Sequence, residues 1–229
     1  AAAAEALGKI GPRAARAVPS IIQLVTDIDR GVPEAAARAL GKIGEKAKEA
    51  VPILIQEIDH IEKDVREACA WALGEIGATN EDDVPALIQH LFNKEQDVRA
   101  ATAMALGQIG TNSNIAITAL AQHLTDTEWK VRDSVIRALG QIGPPAKVTV
   151  PALTGLLSEK DWATREAAAR SLGKIGAQAE HAVSMLTLLL TDKKGSVRLA
   201  ACEALGQIGP AAQLASTALR KRLTDKYEV

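Results

Sequence analysis

Histidine and cysteine, which often bind metal ions or catalyse reactions, are few in this chain of 229 residues. Four histidines occur, at positions 60, 90, 123 and 181. His90 and His123 stand at equal positions of a 33-residue repeat that runs along the whole chain. We expect them to lie about one repeat apart, too far for both to bind one zinc ion through bonds of about 2.0–2.1 Å. Neither His-x-x-x-His nor Cys-x-x-Cys occurs, so the sequence predicts no metal site.

Groups for covalent chemistry are equally scarce. Cys69 and Cys202 stand where most copies of the repeat have alanine, which predicts small apolar residues. A disulfide is not expected because the two cysteines lie four repeats apart, and unpaired thiols fit a reducing, cytoplasmic location. No serine or cysteine has a histidine at a spacing typical of a nucleophile and its general base. No glycine-rich phosphate loop is present either. The prediction is a non-enzyme without a cofactor.

The repeat itself is marked by the phrase Ala-Leu-Gly-x-Ile-Gly. Seven copies follow one another at a constant 33-residue period without insertion or deletion, and they begin at Ala6, Ala39, Ala72, Ala105, Ala138, Ser171 and Ala204. A fixed period of this length predicts a repeat array, in which each unit buries its apolar face against its neighbours. We therefore expect one array over residues 1–229.

Each repeat contains two helices. In the copy that starts at Val84, apolar residues recur at helical spacing through Leu91, and Pro85 lies in the first turn, where its missing N–H is harmless. A polar turn follows, and a second helix runs from about Val98 to Ile109. By the same argument, Pro33 is expected to be the first residue of its helix.

The two glycines of the phrase have different explanations. A glycine inside a helix, such as Gly107, costs roughly 1 kcal/mol against alanine. Its recurrence in seven copies therefore predicts close approach of a neighbouring helix. The second glycine, such as Gly110, stands where a left-handed C-terminal cap is expected.

This pattern resembles the short HEAT-like repeats found in phycobilisome lyases and many bacterial scaffold proteins. Besides the phrase, Val-Arg opens the second helix in the copies with Arg66, Arg99, Arg132 and Arg198. An acidic or amide residue often precedes the arginine by six positions, as in Asn93, Asp126, Glu159 (before Arg165) and Asp192. The resemblance implies an all-α, right-handed α-solenoid of stacked antiparallel helix pairs, with the second helices on the concave side and a polar ladder between repeats. That ladder should weaken near the N-terminal end, where His60 replaces the acid and Pro33 replaces the arginine.

Positions that vary between copies are the candidates for binding. The residue before Ala-Leu-Gly is Arg38, Trp71, Met104, Arg137 or Arg170 in five successive copies. Tryptophan and arginine are the residues most enriched at binding hot spots. This row is therefore predicted to contact a partner along the concave side.

Two further groups complete the predicted binding site. Glu75, Gln108 and Gln141 lie one helical turn after the first row and share its face. Trp129 and Trp162 occupy equal positions in adjacent repeats, at the turn that enters the second helix.

A purely structural interpretation of these residues stays open. Trp71 is also suited to packing across neighbouring helices, and Trp129 and Trp162 to shielding the helix-entry turn. Arg137 and Arg170 are each four residues after an acid, a surface pair worth about 0.3 kcal/mol.

The leading functional hypothesis is a non-catalytic scaffold that binds a protein or a peptide. The alternative is a bilin-handling protein like the phycobilisome lyases, which the resemblance implies. Iron-dependent hydroxylases built on similar repeats carry His-Glu pairs, and no histidine here precedes glutamate. A net charge of −1 argues against nucleic-acid binding. A structural spacer or a consensus-designed scaffold is a further alternative.

No apolar run approaches the ~20 residues of a membrane span, so no membrane partner is predicted. The chain begins inside a repeat at Ala1 and stops at Val229 before another is complete. We expect a segment of a longer array, whose apolar ends favour end-to-end contacts between copies.

Overall fold

The computed structural model describes residues 1–77, 83–109 and 113–224, and these residues contain helices and turns but no β-strand. They divide into two compact units, with residues 1–134 in unit 1 and residues from 135 onward in unit 2, and the boundary in the sequence falls within one helix. Each unit is built from stacked helix pairs, as the repeat predicts. No helix of the described residues is long and apolar enough to cross a membrane.

Unit 1 alternates second helices of the repeat (odd numbers) with first helices (even numbers). Its helices are α1 (Ala2–Ile10), α2 (Val18–Gln23), α3 (Val32–Ile43), α4 (Val51–Gln56), α5 (Lys63–Ile76), α6 (Asp83–His90), α7 (Gln96–Ile109), α8 (Asn114–Gln122) and the first part of α9 (Trp129–Ile142). The odd-numbered helices pack in sequence, α1 on α3, α3 on α5 and α5 on α7.

Unit 2 repeats the arrangement. It contains the rest of α9, followed by α10 (Val150–Leu156), α11 (Trp162–Ile175), α12 (Val183–Leu189), α13 (Gly195–Ile208) and α14 (Ser216–Thr224). Here α11 packs on α13, and the shorter α10 and α12 each pack on the second helix of their own repeat. The prediction of one array across residues 1–229 stays a prediction.

The helical periodicity of the sequence is confirmed by burial. In α6 and the turn after it, Val84, Leu87 and Leu91 are buried, with Leu87 and Leu91 fully so. Pro33 is the second residue of α3 and not the first, because Val32 already has helical geometry after Gly31, whose φ is +78°. A feature the periodicity did not predict is a short 3₁₀ segment between repeats, at Gly11–Ala17, Gly44–Ala50, Pro144–Thr149, Gly176–Ala182 and Gly209–Ala215.

Close helix approach explains the first glycine of the phrase. A Cβ on Gly41 would lie 3.0 Å from the Cα of Ala72 in the next second helix. In unit 2, a Cβ on Gly173 would lie 2.8 Å from the Cα of Ala204. Because these neighbours are backbone atoms, a side chain at either glycine would push two helices apart.

The second glycine ends the helix in a different geometry from the predicted left-handed cap. Gly44 has φ 68° and ψ −142°, and Gly176 has φ 73° and ψ −143°. Left-handed helical residues have ψ near +47°, so that part of the prediction is wrong. The observed region is almost exclusive to glycine, whereas asparagine is tolerated in a left-handed cap. Gly110 lies outside the described residues.

The arginine ladder is present, with a more specific pairing than the resemblance implied. Nη1 of Arg99 donates to the main-chain carbonyls of Asn93 and Lys94, at 2.8 and 3.1 Å. Its Nε and Nη2 both bond the carboxylate of Asp126, which is 27 residues later in the next repeat, at 2.9 Å each. The residue six positions before an arginine thus supplies its carbonyl, and the acid comes from the following repeat.

The predicted weakening of the ladder has a different cause from the one expected. Arg66 bonds the carbonyls of His60 and Ile61 like the other arginines, at 2.7 and 3.0 Å, so the histidine side chain does not interrupt this step. The residue at the position of the acid is Asn93, whose amide donates to Asp59 at 3.1 Å. Nε of Arg66 is consequently buried without a hydrogen-bond partner.

Candidate functional site

The histidines lie apart from any metal-binding arrangement in the described parts of the chain, where no group of three or more His, Cys, Asp or Glu residues is positioned for an ion. Nδ1 of His123 is 2.9 Å from the carbonyl of Ala119. The same ring packs in a T-shaped arrangement against the ring of Phe92, at 5.1 Å between centroids. Partial burial lowers the pKa of His90, against the opposing effect of Asp59.

The cysteines are placed for packing. Cys69 is fully buried in α5, and burial strongly raises the pKa of its thiol. Cys202 is half-buried in α13, and desolvation raises its pKa as well. Since the thiolate is the nucleophile, the raised pKa makes both thiols less nucleophilic than a free cysteine. Cys69 is the small buried residue that the sequence predicted.

A cavity of about 270 Å³ opens on unit 1, between α5, α7 and the start of α9. Its apolar part comes from Ala100, Ala101, Met104 and Trp129. Met104 is 38% exposed and Trp129 is 63% exposed. The cavity is thus lined by two small alanine side chains and by two large apolar side chains that contact solvent. We name it the α5–α7–α9 cavity.

Charged residues surround this apolar centre and are paired among themselves. Nζ of Lys63 lies 3.1 Å from Glu67, and Nζ of Lys130 lies 3.7 Å from Asp97. Nη2 of Arg66 lies 3.5 Å from the same aspartate. The hydrogen bond and charge of Glu67 raise the pKa of Lys63. Paired rim charges leave the apolar centre as the part of the cavity most suited to a ligand.

The polar ladder positions Trp129 at this cavity. Asp126, in the turn before α9, is held by the guanidinium of Arg99 in α7 and accepts the main-chain N–H of Glu128 at 2.9 Å. Nη1 of Arg132 closes the same turn by donating to the carbonyl of Asp126 at 2.7 Å. Trp129 begins the helix directly after this turn. Its backbone is therefore fixed relative to α7.

Two predicted site residues of unit 1 belong to the stacking interfaces instead. Trp71 is half-buried, and its ring covers Gly41 of the preceding repeat. The side chain of Gln108 covers Gly74 in the same manner, and its Oε1 is buried without a partner. For Trp71 this is the packing across neighbouring helices that the sequence left open, and for Gln108 it occurs because the glycine of the preceding repeat leaves room for the longer side chain to fold over it. A role of either residue in partner binding stays a prediction.

The remaining candidates of unit 1 are exposed. Arg38 donates from Nε to Glu34 at 2.9 Å, a pair between residues four positions apart. Glu75 is exposed near the end of α5. Neither residue lines the α5–α7–α9 cavity. Of the predicted residues in this unit, the structure brings together Met104 and Trp129.

In unit 2, the predicted residues are surface residues with ion-pair or aromatic contacts. Arg170 bonds Glu166 at 3.1 Å and Glu203 of the next repeat at 2.6 Å. Trp162 is 43% exposed, and Nζ of Lys194 lies 5.7 Å from its ring centroid. Sequence reasoning assigned no role to Glu203 or to Lys194. Arg137 and Gln141 are exposed on α9.

Sequence reasoning also missed the charged rim of the cavity. Asp97 and Lys130 occupy equal positions in adjacent repeats and carry opposite charges. A search of successive copies for charge reversal at one position would have identified this pair. No comparable signal marks Lys63 and Glu67, which pair within one helix.

Comparison with known proteins places the chain in a family. The profile described as HEAT repeats matches residues 1–60, 51–128 and 117–187, and a second HEAT repeat profile matches residues 182–212. No curated protein matches the sequence.

Solved structures with the same fold include natural and engineered proteins. The complex of CpcE and CpcF of phycocyanin lyase from Nostoc sp. PCC7120 is 27% identical, with a TM-score of 0.54 over 96% of this chain and 87% of that chain. An engineered protein is 26% identical, with a TM-score of 0.55 over 98% of this chain and 70% of the other. A designed armadillo repeat protein in complex with peptide (KR)4 is 18% identical, with a TM-score of 0.53 over 84% of this chain and 99% of the other, and shows likeness of fold alone. With the family profiles, the stacked helix pairs and the recurring phrase in agreement, the chain belongs to the HEAT repeat family.

Proposed function

We propose that this chain is a non-catalytic scaffold that binds a protein or a peptide, and that the α5–α7–α9 cavity of unit 1 receives an apolar side chain of the partner. The observation that carries the proposal is the exposure of Trp129 and Met104 at one cavity whose rim charges are already paired. HEAT repeats commonly mediate protein binding, which supports the same class of function.

The size and chemistry of the cavity favour a side chain over a cofactor. Pockets for small molecules usually enclose about 300–1,000 Å³, and this one encloses about 270 Å³. Tryptophan at the rim supplies a large contact area with little loss of conformational entropy. The surrounding ion pairs add specificity through charge complementarity more than affinity.

The experiment starts by selecting a ligand from a displayed random-peptide library against the whole chain. Affinity is then measured by calorimetry for Trp129→Ala and Met104→Ala. We expect each to weaken binding by about tenfold or more, as truncation of a hot-spot residue does. Trp162→Ala is the matched control, because Trp162 begins α11 as Trp129 begins α9. Unchanged affinity in both unit 1 variants, or an equal loss in the control, contradicts the proposal.

A second candidate function is the handling of a linear tetrapyrrole. It is favoured by the likeness to the CpcE–CpcF complex of a phycocyanin lyase, at 27% identity. An absorbance titration of the chain with a free bilin tests it. A shifted, saturable visible spectrum supports this function, and an unchanged spectrum removes it. The cytoplasmic location and the absence of nucleic-acid partners stay predictions.

A further inference from the structure

Two isoleucines of unit 1 project into solvent from the turns between paired helices. Ile28, between α2 and α3, is 99% exposed, and Ile61, between α4 and α5, is 91% exposed. They are separated by one full repeat and so occupy equal positions in adjacent copies. The same position holds Lys94, Thr127, Lys160 and Lys193 in later repeats. A partner that covers these two fully exposed, branched apolar side chains would therefore gain the free energy of burying them.

The turns that carry these isoleucines are fixed by hydrogen bonds. Asp27 accepts the main-chain N–H of Asp29 at 2.8 Å. Nδ1 of His60 accepts the N–H of Glu62 at 3.0 Å in the equivalent turn. Arg66 donates to the carbonyl of Ile61 itself at 3.0 Å. Both side chains are therefore held outward on ordered backbone, which reduces the entropy that a partner has to remove on binding.

The surroundings of the isoleucines are acidic. Residues 27–31 and 57–64 contain six carboxylates and two cations, a formal charge of −4, although the whole chain carries −1. Asp29, Asp59 and Asp64 are exposed. One of the two cations, Lys63, is paired with Glu67. We name residues 27–31 and 57–64 the acidic turn surface.

From this combination we infer that the acidic turn surface is a docking site for a basic peptide segment that presents two apolar side chains about 10 Å apart. Packed helices are about 8–10 Å apart, which sets the spacing of the two isoleucines. A helical ligand meets it with residues seven positions apart, since its rise is about 1.5 Å per residue. A second copy of this chain is a poorer occupant, because its own turn surface carries the same negative charge.

The probe is a synthetic helical peptide of leucine, lysine and alanine whose two leucines lie about seven residues apart. Its binding to the whole chain is followed by fluorescence anisotropy at low and moderate salt. We expect saturable binding that weakens with salt and that disappears when glutamate replaces lysine in the peptide. Equal binding of the acidic peptide overturns the inference.

The decisive variant is the double substitution Ile28→Thr and Ile61→Thr. Threonine already occupies this position as Thr127, so the turn accommodates it, and the charge is unchanged. We expect about tenfold weaker binding. Val148→Thr is the matched control, because Val148 is also exposed, at 71%, but belongs to unit 2. No loss in the double variant, or the same loss in the control, overturns the inference.

Two further measurements separate this surface from other sites. Trp129→Ala should leave binding of the probe unchanged; a loss places the probe in the α5–α7–α9 cavity and overturns the inference while leaving the proposed function intact. Sedimentation velocity of the chain alone reports self-association. A dimer that the double variant abolishes assigns the isoleucines to a second copy and also overturns it.

Discussion

Two helix-stacking steps in the molecule, α11 on α13 in unit 2 and α5 on α7 in unit 1, use the same repeat positions with different results. In unit 2, Arg165 bonds both carboxylate oxygens of Asp192, at 2.8 and 3.0 Å. In unit 1, Arg66 has Asn93 at the corresponding position, and its Nε is buried without a partner.

The glycine contacts differ at the same two steps. Both glycines lie under a glutamine side chain of the next second helix, but a Cβ on Gly173 of α11 would also lie 2.8 Å from the Cα of Ala204 in α13, whereas the three atoms nearest to Gly74 of α5 all belong to the flexible side chain of Gln108 in α7. The regular step is held by a largely buried ion pair and by close backbone packing. The irregular step leaves polar atoms unsatisfied, and the α5–α7–α9 cavity opens on the same pair of helices. Departure from the stacking pattern and the candidate binding site thus coincide.

The largest expected effect comes from breaking the regular step with Asp192→Ala. The side chains of Asp192 and Arg165 are 9% and 14% exposed, so the variant leaves an almost buried guanidinium without its acid. We expect the free energy of unfolding to fall by about 3 kcal/mol, measured by urea denaturation. Asn93→Ala at the irregular step is the control and should cost about 1 kcal/mol, mainly from the lost turn hydrogen bond to Glu95. Equal losses at the two positions contradict the comparison.

Gly173→Ala tests the close backbone approach of the regular step. The new Cβ would lie 2.8 Å from the Cα of Ala204, so helices have to separate. We expect a loss of about 2 kcal/mol, since overpacking outweighs the helix-propensity gain of alanine. Gly206 occupies the same position in α13, and a Cβ there would have no described atom of a neighbouring element within 4 Å. Gly206→Ala should therefore raise the thermal midpoint, and a destabilisation there refutes the steric explanation.

Asn93→Asp tests whether a carboxylate restores the ladder at the irregular step. A carboxylate at this position gives Nε and Nη2 of Arg66 the partner that Arg99 finds in Asp126. We expect stabilisation of about 1 kcal/mol in urea denaturation, limited by repulsion from Asp59, which now accepts the amide of Asn93. The gain should increase when Asp59→Asn is added. If Asn93→Asp raises the free energy of unfolding neither in the wild type nor in the Asp59→Asn variant, an acid at this position does not stabilise Arg66.

Titration of Asp192 gives the smallest effect and a test by pH. Burial alone would raise the pKa of this carboxyl, but the hydrogen bonds from Arg165 and the N–H of Lys194 hold it below the ordinary value of 3.8. A lowered pKa in the folded state stabilises the protein above the unfolded pKa, and this contribution is lost as pH falls through the folded pKa. The stability difference between the wild type and Asp192→Asn should therefore be constant near neutral pH and shrink below about pH 4. A difference that does not change with pH contradicts the ion pair.

Residues at equal positions of the repeat differ in how well the sequence predicts their surroundings. Met104 and Trp71 stand at equal positions of the repeat, yet Met104 is exposed at the cavity and the ring of Trp71 covers Gly41. The pattern assigns both to one helix face, but it does not contain the inter-helix distance that decides whether a long side chain folds over the neighbouring glycine. The position of the Gln108 side chain over Gly74 was not predictable for the same reason. By contrast, the close contact at the first glycine was predictable, because only a steric requirement explains a helix-breaking residue in every copy.

The amino-acid sequence by itself determined the 33-residue period, the two helices of each repeat, the glycines between stacked helices and the membership in a HEAT-like class. The period, the helices and the glycine contacts follow from local propensity and periodicity, which are the same in every copy, whereas the HEAT-like class rests on the resemblance of the recurring phrase and of Val-Arg to that family. Only the tertiary structure shows that Arg99 and Arg165 each bond an acid 27 residues later, and that Met104 and Trp129 share one cavity. It also left Ile28 and Ile61 in solvent on ordered turns. Such outcomes depend on distances between helices and on side-chain length, and equal positions in a repeat therefore acquire unequal surroundings.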